Sequence, residues 1–283
     1  MPTTSDTVFI YSYVLSIVML LCAFPVYGLL RKNAPGLSWH RHGKVSTERL
    51  DFPDILGLIL FIGIYGVFLK EHLTPPELDE NGDRVVVKIT PMILAAGYIV
   101  QLVPPLLVMV LLVFRQINLV EYFGLRWKKA RYLIVMAPAG VITTYLFLFS
   151  LEMLGFNAWL TNHFGDQAEL QQTVKTYQEA SAVTVRIMIA VSVILIAPVA
   201  EEVVFRGYIY TATKRFSDRF FAAVFSSLLF GAVHFNIMAL APLIFLALVL
   251  AISYELSGSL WAPISIHALF NATTILFQEV KFH

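Results

Sequence analysis

Long apolar stretches alternate with short polar ones along most of the chain. A helix that spans a bilayer needs about 20 apolar residues, so this pattern predicts transmembrane helices. We place them at Val8–Leu30, Ile55–Leu69, Pro91–Phe114, Tyr132–Leu154, Val183–Phe205, Phe221–Phe235, Ile237–Tyr254 and Leu260–Phe277. The sixth and seventh are separated only around Asn236, which predicts a tight hairpin or a broken pair. The pattern predicts an all-α fold, a polytopic transmembrane helix bundle of about eight spans.

The composition supports a membrane protein. Hydrophobic residues make up 58% of the chain and charged residues only 14%, whereas soluble domains contain about 25% charged residues. We expect an integral, multi-pass membrane protein in contact with the lipid bilayer, in the plasma or inner membrane if bacterial. The net charge of +1 gives no basic face for a nucleic-acid partner. The single cysteine, Cys22, can form no intrachain disulfide.

Lysine and arginine concentrate in alternate loops, and such loops are usually cytoplasmic. The first, third and fifth loops are basic, with Arg31, Lys32, Arg41, Lys44, Arg49, Arg115, Arg126, Lys128, Lys129, Arg131, Arg206, Lys214, Arg215 and Arg219. The second and fourth loops are richer in acidic residues. This distribution predicts that the odd-numbered loops are cytoplasmic and that both termini lie outside.

The sequence contains no fixed-period repeat and no separate soluble domain. Lys70–Thr90 and Gly155–Ala182 read as external loops, and a polar stretch in the second, Asp166–Ala180, could form a short helix. We divide the chain into residues 1–182, four N-terminal spans with an external loop, and residues 183–283, a four-span core.

Ionisable and amide side chains interrupt three of the apolar stretches. A charged side chain at the bilayer centre costs about 3 kcal/mol on insertion scales. Several such residues on three helices therefore predict a polar site inside the membrane. They are Glu201, Glu202, Arg206, His234, His267 and Asn271.

Helix geometry separates the two glutamates. Residues four apart share a helix face, so Arg206 can pair with Glu202, while Glu201 points elsewhere. One interpretation is that Glu202 and Arg206 support the helix end and Glu201 faces a cavity as a base. The alternative is that both carboxylates only cap the helix near the interface.

The imidazole and amide groups also allow two interpretations. His234 alone could be a core histidine that donates to a carbonyl, and His267 with Asn271, one turn apart, could be interhelical hydrogen bonding. In combination with Glu201, they are the groups needed to add water to an amide carbonyl: a general base, a proton shuttle and donors to an oxyanion. The chain has no phosphate loop, H-E-x-x-H or G-x-S-x-G motif.

Three motifs in this region resemble those of the CAAX-protease and bacteriocin-processing family of intramembrane proteases, also described as abortive-infection-like. In order, they are Glu201-Glu202-x-x-x-Arg206, Phe230-x-x-x-His234 and His267-x-x-x-Asn271. The resemblance covers Val183 to Phe277. It implies that Glu201 and His234 activate the attacking water, that His267 and Asn271 stabilise the oxyanion, and that Glu202 and Arg206 are structural.

The function that the resemblance implies is a CAAX prenyl-protease-like endopeptidase whose substrate is a peptide or a lipidated protein. For eukaryotes and archaea it implies removal of a C-terminal tripeptide, and for bacteria the processing of peptides or membrane proteins, or bacteriocin immunity. Because Glu201 falls near the cytoplasmic end of its helix and His267 about two turns in, we expect a site near the cytoplasmic face in a cavity that opens inward.

Other functions stay open. The same fold could serve as a non-catalytic membrane scaffold or a bacteriocin-immunity protein. A proton-coupled transporter is a third candidate, because intramembrane Glu and His can relay protons. We expect no cofactor. Zn²⁺ is the alternative, held by Glu201, His234 and His267, since two imidazoles and a carboxylate are a common catalytic zinc set.

Overall fold

The computed structural model describes residues 43–73, 89–164, 172–180 and 182–281, with isolated helical positions between 18 and 33. Regular secondary structure in these ranges is entirely helical, as predicted. The helices are α1 (Pro53–Leu73), α2 (Pro91–Phe114), α3 (Leu119–Tyr122), α4 (Leu133–Met153), α5 (Phe156–Phe164), α6 (Gln172–Glu179), α7 (Val183–Phe216), α8 (Arg219–Ala232), α9 (Ile237–Ser257) and α10 (Trp261–Lys281).

Among the described residues, four helices are long and apolar enough to cross a membrane: α2, α4 with the 3₁₀ turn before it, α7 and α9. Large apolar side chains such as Ile99, Phe149 and Leu195 face outward from the bundle, as lipid contact requires. The chain is therefore a helical membrane bundle. The count of about eight spans stays a prediction, and the first span, Val8–Leu30, lies mostly outside the described residues.

Helix α7 differs from its prediction because it continues past Phe205 to Phe216, over 34 residues. Arg206 and Lys214, predicted in a loop, are buried inside this helix. Both charges have acidic partners: Arg206 bonds to Glu202 at 2.9 Å and Lys214 to Glu255 at 2.8 Å. Paired charges can be buried, so these residues do not end the helix.

The connections around α8 and α9 are capped by side chains. Asp218 accepts from the backbone N–H groups of Phe220 and Phe221 at the start of α8. At the predicted break, Asn236 Oδ1 accepts from the backbone N–H of Ala239 at 2.8 Å and begins α9. Helices α8 and α9 then pack against each other as a hairpin, as the spacing around Asn236 predicted.

The helices that carry the three motifs pack together and against the N-terminal helices. The central part of α7 contacts α2, α8 and α10, while α10 also packs on α4 and α9. Close approach of α4 and α10 depends on Gly140, where an added Cβ would lie 2.8 Å from Cγ2 of Ile266. The three motifs are thereby brought to one region of the bundle.

One end of the bundle, the basic end, comprises residues 43–54, 115–131, 214–220 and 255–260. Its segments bond to one another: Lys214 Nζ donates to Val45 O at 2.8 Å, and the Leu260 N–H donates to Phe123 O at 3.0 Å. Arg115 pairs with Asp54. The largest hydrophobic cluster lies directly beneath and includes Leu50, Phe61, Leu112, Phe205, Tyr208 and Tyr254. This end is densely packed.

The opposite end, the distal end, comprises residues 89–94, 152–164, 172–180, 182–186 and 275–281. Tyr177 and Arg186 both bond to Glu279, and Gln178 bonds to Gln278 at 2.8 Å. Burial raises the pKa of Tyr177 above its usual 10.0, so its hydroxyl stays protonated and donates. The hydrophobic cluster here is smaller than at the basic end.

Candidate active site

Glu202 is a buried residue of the site that connects two of the three motifs. It is fully buried, and its Oε1 accepts two hydrogen bonds, from Arg206 Nη1 at 2.9 Å and from His267 Nδ1 at 2.9 Å. The first bond is the predicted pair along one face of α7. The second was not predicted, and it joins the first motif to the third. Glu202 therefore sets the orientation of the His267 ring.

Arg206 is held by several groups besides Glu202. Its Nη2 donates to Ala247 O on α9 at 3.1 Å, and its guanidinium carbon lies 4.7 Å from the centroid of the Phe230 ring. Ala247 is fully buried, and its small side chain lets the guanidinium approach the backbone. These contacts tie α7 to α8 and α9, which agrees with a structural role for Arg206.

His234 lies just past the end of α8 with one ring nitrogen occupied. Its Nδ1 donates to Phe230 O at 2.7 Å, and the Phe230 ring lies 4.7 Å from the imidazole. This is the carbonyl contact that the core-histidine interpretation predicts. The bond also fixes the ring, however, and His234 lines a cavity where Nε2 can act.

Glu201 differs from its neighbour in exposure and in partners. Its side chain is 24% exposed, and its Oε2 lies 3.8 Å from His267 Nε2, too long for a direct hydrogen bond. This oxygen is buried and has no hydrogen-bond partner among the described residues. A buried carboxylate oxygen without a partner beside a cavity is a candidate general base.

Asn271 lies one turn after His267 on α10. Its Nδ2 donates to Val193 O at 2.7 Å. Val193 belongs to a π-helical segment of α7, Ser192–Ile196, in which the usual helical hydrogen-bond register is shifted. An amide nitrogen carries two hydrogens, so this bond positions Asn271 and leaves one donor for another group.

A cavity of about 1290 Å³ contains the predicted catalytic set, Glu201, His234, His267 and Asn271. It extends from these residues to Glu152 and Gln278 near the distal end. The stretch of α10 between His267 and Gln278 alone spans about 16 Å.

The inward opening expected for the cavity stays a prediction, and the described lining runs from the motif residues towards the distal end. His267 lies about two turns into α10 from the basic end, as predicted, but the hydrophobic cluster there fills the space below the site. The described lining runs the other way. The prediction of a site near the cytoplasmic face is a separate claim about position, and it stays a prediction.

Residues from the N-terminal part of the chain also line the cavity. They include Tyr65 on α1, Gln101 on α2 and Tyr145 on α4, and Tyr65 interacts electrostatically with Glu201. The sequence feature that indicates such residues is a polar side chain within each apolar stretch. The largest hydrophobic cluster likewise mixes residues from both sides of position 182. The two-domain division stays a prediction.

The zinc alternative can be compared with this geometry. Both histidines are held through Nδ1 by an oxygen, an arrangement that is common around metal-ligating imidazoles. Within the described ranges, however, no three His, Cys, Asp or Glu side chains are grouped closely enough to hold a metal ion. The conformation therefore does not assemble Glu201, His234 and His267 as a ligand set.

The C-terminal region of the chain is similar to a known protein family. Residues 183–273 match the family model described as "Type II CAAX prenyl endopeptidase Rce1-like". Over 145 residues, 51% of its length, the chain is 30% identical to the "Putative membrane peptidase YdiL" of Bacillus subtilis (strain 168), and this alignment covers 56% of the relative's length. The chain thus spans about half of the curated relative that it matches. No solved structure matches the chain. Residues 183–273 are therefore similar to the Rce1-like family, in agreement with the resemblance found from the three motifs.

Proposed function

We propose that the protein is an intramembrane endopeptidase that hydrolyses peptide bonds with water activated by Glu201 and His234. The observation that carries this proposal is the partnerless carboxylate oxygen of Glu201, which lies beside the cavity that His234 and His267 also line. The family match and the membrane-peptidase relative support the reaction class.

In the proposed reaction, Glu201 accepts a proton from water as the water oxygen attacks the carbonyl carbon. His234, held by Phe230 O, orients the water or relays its proton through Nε2. The carbon–nitrogen bond of the tetrahedral intermediate then breaks, and the proton passes to the leaving amine. The products are a carboxylic acid and an amine, with one water consumed.

His267 and Asn271 are proposed to stabilise the oxyanion of this intermediate. Because His267 Nδ1 already donates to Glu202, Nε2 can donate to an oxyanion only when the ring is doubly protonated. The bond from Nδ1 to the buried carboxylate of Glu202 fixes the ring, so Glu202 is a positioning residue in this scheme. Asn271 supplies the amide hydrogen that its bond to Val193 does not use.

We propose different roles for Glu202 and Glu201, and substitution of Glu202 tests this difference. Glu202→Gln removes the charge opposite both Arg206 and His267, and breaking a buried pair costs about 3 to 5 kcal/mol. We expect lower yield and lower thermal stability in detergent, together with reduced kcat. If Glu202→Gln keeps full stability and loses all turnover, the assignment of the base to Glu201 is wrong.

The mechanism is proposed to need no metal. If Glu201 were a zinc ligand, the remaining carboxylate, Glu202, would be the general base, but it is committed to Arg206 and His267. We expect activity to survive exhaustive chelation. Stoichiometric zinc by elemental analysis, lost with activity in His234→Ala and restored to the wild-type apoprotein by added metal, would contradict this mechanism.

The direct test is hydrolysis of a quenched lipidated peptide by the purified protein. Mass spectrometry of products formed in ¹⁸O-labelled water should show one labelled carboxylate oxygen. The alternative, a non-catalytic scaffold or bacteriocin-immunity protein, predicts no product at any enzyme concentration. A proton-coupled transporter predicts substrate-dependent proton uptake into vesicles instead of cleavage.

A further inference from the structure

Helix α2 contains two consecutive prolines in its interior, Pro104 and Pro105. They are the residues three and four positions after Gln101. Because proline has no backbone N–H, neither can donate to the Gln101 carbonyl, so that carbonyl lacks both its α-helical and its 3₁₀ donor. In an apolar membrane helix, a carbonyl freed in this way takes a partner from a neighbouring side chain or from water. The prolines thus create a hydrogen-bond acceptor in the middle of α2.

This acceptor lies at the wall of the cavity. Gln101, Pro104 and Pro105 all line it, as does Val100, which is 52% exposed. Gly97, one turn before Gln101, is also a lining residue, and nothing described outside the local backbone of α2 lies within 4 Å of a Cβ added there. The cavity therefore has space for a peptide beside this face of α2.

The Gln101 side chain adds a donor next to the acceptor. Ser192, on the facing part of α7, donates from its Oγ to Gln101 Oε1 at 3.3 Å. This bond holds the side-chain amide at the boundary of the two helices, and the Nε2 atom carries two hydrogens that can be donated to a carbonyl. A carbonyl and an N–H donor side by side are what the edge of a β-strand offers to an extended peptide.

The position of Ser192 relates this pair of groups to the proposed base. Glu201 lies nine residues after Ser192, which corresponds to about 13 Å along α7. An extended polypeptide advances about 3.3 Å per residue, so a substrate residue beside Gln101 is about four residues from a bond beside Glu201. Because both residues line the same cavity, one peptide can contact both.

We propose that the main-chain carbonyl and the side-chain amide of Gln101 bind the backbone of an extended substrate about four residues from the scissile bond. A substrate N–H donates to the Gln101 carbonyl, and a substrate carbonyl accepts from Nε2. This inference rests on the proposed function and adds a residue that positions the substrate for it. Because the contacts are to main-chain groups, they fix where the peptide lies and not which side chains it carries.

Ester replacement in a peptide tests the bond to the Gln101 carbonyl. The probe is a fluorescent, prenylated peptide of about twelve residues, with analogues in which each backbone N–H in turn is replaced by an ester oxygen. Binding is measured to the Glu201→Gln protein in detergent, which needs no turnover. We expect an ester about four residues from the scissile bond to weaken binding by about 2- to 10-fold. If no ester in this region weakens binding, the proposal is wrong.

Pro105→Ala, made in the same Glu201→Gln protein, supplies the missing helical donor. Alanine is a better helix former than proline, so the variant should stay folded. Its new N–H occupies the Gln101 carbonyl, so the peptide should bind about 2- to 10-fold more weakly and the sensitive ester should bind as well as the peptide. Pro138→Ala replaces a helical proline of α4 outside the described lining, and there the ester should still bind more weakly.

A change in the bend of α2 would give a different result. It would weaken the peptide and its ester alike, so a difference between them that persists in Pro105→Ala would overturn the proposal.

Gln101→Met tests the side-chain contact at similar volume. We expect KM to rise with little change in kcat, because the contact is remote from the reacting atoms. A fall in kcat with KM unchanged would contradict a substrate-positioning role for this amide.

These results separate the subsite from the proposed function. If the ester effect appears and is lost in Pro105→Ala, but the wild type cleaves no peptide, only the peptidase proposal fails. Cleavage by the wild type without an ester effect overturns the subsite alone.

Discussion

The two ends of the bundle are built differently. Directly beneath the basic end, Tyr208, Tyr210 and Tyr254 are fully buried, and at that end the buried charge of Lys214 is paired with Glu255. Towards the distal end, aromatic side chains such as Phe149 are exposed and line a large cavity. The three motifs lie where these two regions meet.

This difference places the residues of the proposed hydrolytic site in two kinds of surroundings. The packed region fixes Glu202, Arg206 and His267, which need rigid, desolvated surroundings to hold their geometry. The cavity keeps Glu201 and His234 accessible to water and substrate. In the proposed mechanism, Glu202 and Arg206 are thus positioning groups on the packed side, and Glu201 and His234 act on the open side. His267 contacts both sides, because it bonds to Glu202 and lines the cavity.

The largest effect is expected from replacing Glu201, the proposed base on the cavity side of the site. Glu201→Gln is nearly isosteric and leaves the Glu202 bonds in place, so it should lower kcat by about 100- to 10,000-fold with unchanged thermal stability. Peptide turnover and melting in detergent measure the two effects. Substantial residual turnover in a folded Glu201→Gln protein would remove Glu201 from the reaction.

The second test concerns Asn271, at the same boundary. Asn271→Ala removes a donor whose hydrogen bond strengthens as the oxyanion forms, and loss of such a donor costs about 100- to 1000-fold in rate. We expect kcat to fall more than KM rises. An effect confined to KM would make Asn271 a substrate-positioning residue that acts through its contact with Val193.

The third test disrupts the packed end. Lys214→Met leaves Glu255 and the Val45 carbonyl without their buried cation, and breaking such a pair costs about 3 to 5 kcal/mol. Thermal stability should fall, while kcat of the folded fraction stays close to that of the wild type. Lys128→Met, at an exposed position of the same end, is the control and should change neither quantity.

Much of this organisation could be predicted from the sequence where it depends on local spacing. The bounds of α2 match the predicted Pro91–Phe114, and the pairing of Glu202 with Arg206 follows from four-residue helical spacing. The bond between His267 and Glu202 joins residues 65 positions apart. It depends on how α7 and α10 pack, which periodicity alone does not specify.

The sequence also did not predict the π-helical segments or the extent of the cavity towards the distal end. A π-helical turn arises from a shifted hydrogen-bond register, and apolar residues such as those of Ser192–Ile196 show no distinctive pattern. The cavity depends on which side chains fill the space between helices. Only the packing of the helices therefore shows that Tyr65 and Gln101 line the site.

The most direct measurement of the central claim is the side from which water reaches the site. In a Cys22→Ser background, Thr274→Cys places a thiol in the cavity, with Lys128→Cys marking the basic end and Met153→Cys the distal end. An impermeant thiol reagent is applied separately to each face of sealed vesicles. The account predicts that Thr274→Cys reacts from the same face as Met153→Cys. Reaction from the face that labels Lys128→Cys would contradict it.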